Sequence, residues 1–335
     1  MRKFIVISFF LLKANALLVA QDIHFSQYQF NPLNLSPSST GFFNGDRRAN
    51  MAYRNQWNSV TVPYTTFSFG YDQVIGKVHD SGNRNAAGLL FNNDKAGDGN
   101  LGTLQLMLSF AHLFSLGTDS IHFINVGIQS GFSYKSIDIN KLTFDNQFNG
   151  DVFNPLQSTG EQFARVNYIY PELNAGISWM ALYDNTIYNA TIGTQHLNKP
   201  ELSFLNETAK LPLHWQFNAS AVFGVHDFIS FSPSIIYTTQ QKFKEINTGI
   251  ELKFNLKKDA ARNYAFAAAC NYRVKDAVIP CIALYYNQWR VGVSYDINTS
   301  DLKRASNGRG GPEFNVMYIM KKIRYIPRKN NCPVY

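Results

Sequence analysis

Between residues 47 and 320 the chain returns repeatedly to one pattern, about ten residues of alternating apolar and polar side chains followed by a turn. In 48–57, Ala49, Met51, Tyr53 and Trp57 share one parity, and Arg48, Asn50, Arg54 and Gln56 the other. Successive side chains of a strand point to opposite faces, so such a segment has one apolar and one polar side. About ten residues tilted at about 45° cross a hydrocarbon layer, and a closed wall of such strands meets lipid outside and water inside. The pattern therefore predicts an all-β protein, a transmembrane antiparallel up-and-down β-barrel. No later stretch approaches the roughly 18 consecutive apolar residues of a helical span.

Alternating runs fall near 47–57, 65–75, 85–93, 102–115, 120–134, 171–182 and 186–197, then 212–225, 228–240, 245–256, 263–274, 279–286, 288–297 and 311–320. That is about fourteen strands, and an even number brings both termini to one side, the periplasm in bacterial outer-membrane barrels. Short connectors at 117–120, 183–185, 226–227 and 287–288 alternate with long ones at 135–170, 197–211 and 298–310, as short periplasmic turns and long outer loops require. Connectors 76–84 and 257–262 are longer than that rule. Strand 102–115 sets Leu104, Leu106, Leu108, Phe110 and Phe114 toward lipid, opposite Thr103, Gln105 and Ser109. Strand 212–225 does the same with Trp215, Phe217, Ala219, Ala221 and Phe223 against Gln216, Asn218, Ser220 and Gly224. An aromatic content of 15% fits the interfacial girdles of a barrel, although a soluble β-sandwich carries such residues too.

The ends carry other information. Arg2 and Lys3 precede the apolar run 4–12, and Ala14, Ala16 and Ala20 follow, which reads as a signal peptide over 1–20 cut after Ala20 or Ala16. No Cys lies near the cut, against a lipoprotein anchor. Residues 21–45 do not alternate; Phe25, Tyr28 and Phe30 are near helical spacing, Pro32 stops the run, and 36–41 is rich in turn residues. This segment is expected as a short helix, hatch or plug tucked into the barrel mouth, with a loose periplasmic lead as the alternative. The barrel proper takes 46–320. Much of the net charge of +8 sits in Lys321, Lys322, Arg324, Arg328 and Lys329, a basic periplasmic tail over 321–335. Such a tail faces anionic lipid, peptidoglycan or an acidic partner, or is simply solvated; a secreted barrel does not meet nucleic acid.

Candidate chemistry is sparse. Cys270, Cys281 and Cys332 have no metal or redox spacing, although Cys270 and Cys281 fall symmetrically about the turn at Lys275 and Asp276, as partners across a hairpin or as free buried thiols. His112 and His122 are symmetric about the turn at Gly117 and share the apolar parity, which suits ring packing at the interface better than a metal. The outer loop 92–100, rich in Asn, Asp and Gly, reads as a hairpin loop, since Lys95 opposes a cation and the spacing is not that of an EF-hand. No nucleophile motif accompanies His196 or Asp184, and loop 135–170 holds Asp138, Asp145, Asp151 and Glu161 without a His. No metal or other cofactor is expected.

The stretch Gln21-Asp22-Ile23-His24-Phe25-Ser26-Gln27-Tyr28 with Asn31-Pro32 resembles the mature N-terminus of the PorP/SprF family of Bacteroidetes outer-membrane proteins. Tyr53-Arg54-Asn55-Gln56-Trp57 resembles that family's first-strand motif. Similar matches are 93–99, 144–148, 173–177, 311–320 and the ending Cys332-Pro333-Val334-Tyr335, so the resemblance covers the mature chain in order. Two departures concern local positions only: Ser36-Pro37-Ser38 stands where Asn-Pro-Ala is usual, and Val334-Tyr335 replaces a more basic-aromatic end.

The resemblance implies a non-catalytic outer-membrane component of the type IX secretion system. It would assist secretion or surface attachment of particular cell-surface proteins, often large adhesins, and contact periplasmic components of the secretion and gliding machinery. The candidate partner- or plug-binding residues are then Ser26, Gln27, Tyr28, Asn31, Pro32, Tyr53, Arg54, Asn55, Gln56 and Trp57. Arg54 and Gln56 would point into the lumen, where a planar cation and an amide satisfy the backbone of an inserted segment or touch a substrate directly. A passive porin or small-solute channel and a barrel hydrolase dependent on His196 are the alternatives.

Overall fold

The computed structural model describes residues 22–58, 62–76, 82–117, 121–161, 163–202, 204, 209–258, 263–301 and 303–321. The expected signal peptide, most of the basic tail and Cys332 lie outside these residues. Strands β1 (Arg47–Gln56), β2 (Tyr64–Ile75), β3 (Arg84–Ala96), β4 (Leu101–Leu116), β5 (His122–Ser136), β6 (Asn167–Tyr183) and β7 (Thr186–Gln195) form half of a wall. A two-stranded hairpin, β8 (Glu201–Leu202) and β9 (Ala209–Lys210), stands on the next connector. The wall continues with β10 (His214–His226), β11 (Ile229–Gln240), β12 (Phe243–Lys258), β13 (Asn263–Arg273), β14 (Ala277–Tyr286), β15 (Trp289–Asn298) and β16 (Arg309–Met320). Each strand pairs antiparallel with its neighbours and β1 pairs with β16, closing a barrel of fourteen strands with no open edge.

Connectors 57–63, 97–100, 137–166, 196–213 and 299–308 gather at one end, the loop end. The turn end carries the tight connections 184–185, 227–228 and 287–288. Alternation sets the wall's two faces: Leu104, Leu106, Leu108 and Phe110 are exposed on the outside, with Leu108 67% accessible, whereas Met107 between them is 1% accessible and faces in. No helix among the described residues is long and apolar enough to cross a membrane, and the outward apolar band is carried by strands.

Several expectations need correction at the strand ends. The ladder of β3 runs on to Lys95 opposite Gly102 and Ala96 opposite Leu101, so the expected loop 92–100 shrinks to 97–100. Asn92 and Asp94 fit a strand because their parity faces a polar lumen. Likewise β5 and β6 pair as far as Ser136 and Asn167, leaving 137–166 as the long loop. Cys270 lies opposite Pro280 and Cys281 opposite Ala269; this one-residue offset puts the two thiols on opposite faces, and both are free. His112 lies opposite Val126 and His122 opposite Leu116, so the two histidines do not face each other. His112 packs edge-on against Phe114 and His122 stacks on Trp179, both as girdle residues.

Residues 22–46 fill the lumen rather than one mouth, running from the loop end, where Asp22 meets the strand ends at His196 and Gln240, to the turn end at β1. Three short turns shape the segment: a 3-10 turn at Tyr28–Phe30, helix α1 at Pro32–Leu35, and a second 3-10 turn at Pro37–Ser39. Each proline stands at a first helical position, where its missing N–H costs nothing. Ser36 caps the second turn by accepting from the Ser38 amide at 3.3 Å. Phe25, Tyr28, Phe30 and Leu33 are buried, each burial contributing roughly 1.5–3 kcal/mol. Leu33 packs with Leu90 and Met107, and Phe30 with Ala267, Ala283, Met317 and Ile319.

Candidate functional site

An irregular segment inside a barrel has backbone groups with no ladder to join, and each one left unpaired away from water costs free energy. The wall meets this demand with side chains at inward parity. The Ser26 and Gln27 amides donate to Glu313 at 2.7 and 2.9 Å, and the Gly41 amide to Asp72 at 2.7 Å. In return Arg54 donates to the His24 carbonyl at 2.7 Å, Arg48 to that of Ser39 at 2.8 Å, and Asn125 to those of Ser38 and Thr40 at 2.6 and 2.9 Å.

Three anchors stand out. Near the turn end, Arg48 grips Asp72 through two bonds of 2.9 and 2.8 Å and lies 4.4 Å from the centre of the Phe43 ring. In the loop half, Arg54 and Arg273 both donate to Asp296, at 2.7 and 3.1 Å, and Ser26 Oγ donates to the other oxygen of that carboxylate at 2.7 Å. Buried charges are tolerable only when paired in this way: Arg54 faces Asp296 and Glu313, and Arg273 faces Asp296, Asp276 and Glu245. At the loop end Asp22 lies 2.9 Å from His196 Nε2 and 3.2 Å from His214 Nδ1, and accepts from Gln240 at 2.8 Å.

Electrostatics divide the titratable groups of this end. Burial opposes the charge on Asp22, but His196 and His214 outweigh it and hold the carboxyl well below the usual carboxylate range. Burial likewise opposes a proton on His196, yet Asp22 and then Glu172, 3.5 Å from Nδ1, raise its pKa above that of a free imidazole. His24 goes the other way: burial, with Arg54 and Arg273 nearby, pushes it down to about 4 against the pull of Glu245. It is neutral at pH 7, so its 4.0 Å approach to Glu245 is not a charge pair.

A row of glycines completes the seat. Gly127, Gly176 and Gly193 lie side by side on β5, β6 and β7. A Cβ on Gly193 would stand 2.8 Å from the Leu35 carbonyl, one on Gly127 would overlap the Pro37 carbonyl, and one on Gly176 the Ser36 hydroxyl. Only residues without a side chain leave room for the turn 35–38 against this wall.

Of the candidate residues, Ser26, Gln27, Asn31 and Arg54 come together: Gln27 donates to Ser294 at 3.0 Å and Asn31 to Asn315 at 3.0 Å. Tyr28 is buried in the same segment, and Pro32 opens α1. Tyr53 and Asn55 sit on the opposite parity of β1 and face outward, and Gln56 ends the strand half-buried. Trp57 lies past the strand with φ of 56° and packs edge-on against Tyr64 at 4.8 Å. The motif 53–57 therefore divides between the two sides of the wall. The wall partners Asp72, Glu172, Arg273, Asp296 and Glu313 belong to no motif; their one signal in the sequence is a charged residue at inward parity within a strand. His196 bonds Asp22 through Nε2, with Glu172 3.5 Å from Nδ1, an anchoring geometry rather than a pairing with a nucleophilic hydroxyl.

A family model described as "Type IX secretion system membrane protein PorP/SprF" matches residues 18–318. No curated protein matches the sequence. Among solved structures, the toluene transporter TbuX of Ralstonia pickettii is similar at 9% identity, with a TM-score of 0.52 over 86% of this chain and 92% of that one. The CymD monoaromatic hydrocarbon channel has 8% identity and a TM-score of 0.49 over 88% and 94%, and a Pseudomonas aeruginosa FadL homologue 10% and 0.46 over 84% and 92%. At such identities the likeness with TbuX speaks for the fold alone.

Proposed function

Because the chain belongs to the PorP/SprF family of type IX secretion system membrane proteins, and is thus an outer-membrane barrel, we propose that it is a non-catalytic component that assists secretion or surface attachment of specific cell-surface proteins, such as adhesins, by binding partners. The observation that carries this reading is the occupied lumen. Residues 22–46 are tied to the wall from the loop end to the turn end through three charged anchors, an arrangement suited to a held platform rather than to free solute flow. In this reading the loop end faces the exterior, where loop 137–166 meets the exported protein. The turn end and the basic tail face the periplasmic secretion and gliding components. Ser26, Gln27, Asn31 and Arg54 hold the plug, and a partner acts on it through either mouth.

Cross-linking in intact envelopes followed by capture of the barrel tests this. Recovery of a large secreted surface protein together with secretion-motor components is the expected result. Capture of neither, with steady ion conductance of the purified barrel in planar bilayers, would favour the alternative of a passive small-solute channel. Turnover of lipid or peptide substrates that is lost on His196→Gln would favour a hydrolase.

A further inference from the structure

The seam where β1 meets β16 is not uniformly zipped. Pairing runs from Arg47 opposite Met320 to Arg54 opposite Glu313 and stops there, although β1 continues to Gln56 along β2 and β16 begins at Arg309 along β15. Asn55 and Gln56 thus pass Pro312 and Gly311 without rungs; Pro312 has no amide to offer. The Trp57 amide closes the seam again by donating to the Gly310 carbonyl at 2.7 Å. Gly311 has φ of 148°, and a Cβ there would overlap the Asn55 carbonyl, so a bare backbone is required at this point.

The break leaves a groove of about 350 Å³ in the loop half of the wall, floored by Gly310, Gly311 and Pro312. Tyr53 and Tyr295, both exposed on the lipid-facing side, flank it, and Asn55, Asn58 and Arg309 supply its polar atoms. Among the described residues nothing acidic lines it. The Asn55 side-chain oxygen is buried without a hydrogen-bond partner, an acceptor that calls for a donor from a ligand. Trp57 and Tyr64 pack edge-on at the same end of β1 and β2, an aromatic pair of the kind that girdles a barrel where lipid heads rather than tails meet it.

We propose that this seam groove binds the phosphorylated sugar head of a membrane glycolipid, Arg309 pairing with the phosphate and Asn55 accepting from a sugar hydroxyl or amide. A guanidinium binds phosphate with charge-assisted hydrogen bonds, the two tyrosines offer rings to the sugar faces and hydroxyls to its rim, and the glycine floor lets the head approach the backbone. This goes beyond the partner-binding reading and shares with it only the assignment of the loop end to the outer leaflet.

Native mass spectrometry of the full barrel in detergent, titrated with diphosphoryl lipid A, tests the proposal. One retained lipid A is expected, with affinity falling about tenfold in Arg309→Gln and in Asn55→Leu while both variants stay heat-modifiable on gels. Lipid A stripped of its phosphates should bind about as weakly as the variants do to the intact lipid. Equal binding by Arg309→Gln, or by the stripped lipid, would overturn the proposal. Displacement of lipid A by inorganic phosphate at the same concentration would overturn it too, leaving a site for adventitious ions only.

Discussion

Arg54 and Asp296, 242 residues apart in sequence, meet at 2.7 Å inside the lumen, both side chains almost wholly buried. The pair joins β1 to β15 across the barrel seam and places Arg54 under the His24 carbonyl, so wall closure and the seating of the N-terminal segment share one contact.

Breaking that pair from one side strands a buried charge. Arg54→Leu should destabilise the barrel by about 3–5 kcal/mol, as removal of one member of a buried ion pair does. The double variant with Asp296→Leu should cost less than the sum of the two single changes, because Arg273 keeps Glu245 and Asp276 as neighbours. Urea unfolding in detergent measures all three, and strictly additive costs would show that the pair is not coupled.

Gly176→Ala forces a methyl onto the Ser36 hydroxyl. We expect an overpacking cost of about 1–3 kcal/mol and faster entry of small antibiotics as the turn 35–38 lifts. Adding Ser36→Gly should restore part of the barrier, and only part, since the Ile192 carbonyl also lies 2.9 Å from the new atom. Uptake that ignores both substitutions would mean the glycine row does not seat the segment.

Deleting residues 22–40 removes the Asp22 anchor outright and leaves the Arg54–Asp296 pair without His24 and Ser26 and the Arg48–Asp72 pair without Ser39. Permeability to small antibiotics should rise while the barrel remains heat-modifiable. Unchanged permeability in a well-inserted deletion would mark the segment as a docking arm rather than a plug.

His24 predicts an acid-sensitive hold. Its pKa falls on folding from 6.5 to about 4, so between these values the unfolded chain takes up a proton that the folded one refuses. Its contribution therefore lowers stability as pH drops from 6.5 toward 4. Asp22 does not act in this window, because its depressed carboxyl adds stability that is fully present above 3.8 and fades only below it. His196, raised above 6.5, adds stability that is complete below 6.5 and declines as pH rises through its folded value. Melting in detergent from pH 4.5 to 8 should show a flatter acid limb in His24→Gln than in the parent; identical limbs would remove His24 as the cause.

Topology is testable at Asn149, which lies within loop 137–166. In a background lacking the native cysteines, Asn149→Cys should react with a membrane-impermeant maleimide in whole cells. Reaction only after the envelope is opened would reverse the assignment of the two ends.

Strand count, faces and most boundaries were legible from the sequence because alternation is a local property: each residue of 102–115 declares its side by parity alone. Family membership was legible too, from motifs such as 21–32 and 53–57. Boundaries failed where a strand's inward face is polar, as at Asn92 and Asp94, since composition there looks like a loop until the partner strand supplies the ladder.

What alternation cannot supply is register between strands and the path of a non-repeating segment. A one-residue offset separated Cys270 from Cys281, and nothing local announces it. Arg54 was legible as a lumen partner of the N-terminal segment, but the rest of the seat was hidden, because Glu313, Asp296 and Asp72 become its partners only when the barrel closes and carries strands from both ends of the chain to one wall. Parity along the chain writes a two-faced, lipid-spanning wall residue by residue. How that wall holds the segment inside it depends on the closed fold, because buried charges and unpaired amides choose partners by proximity in space, and closure brings those partners together across more than two hundred residues.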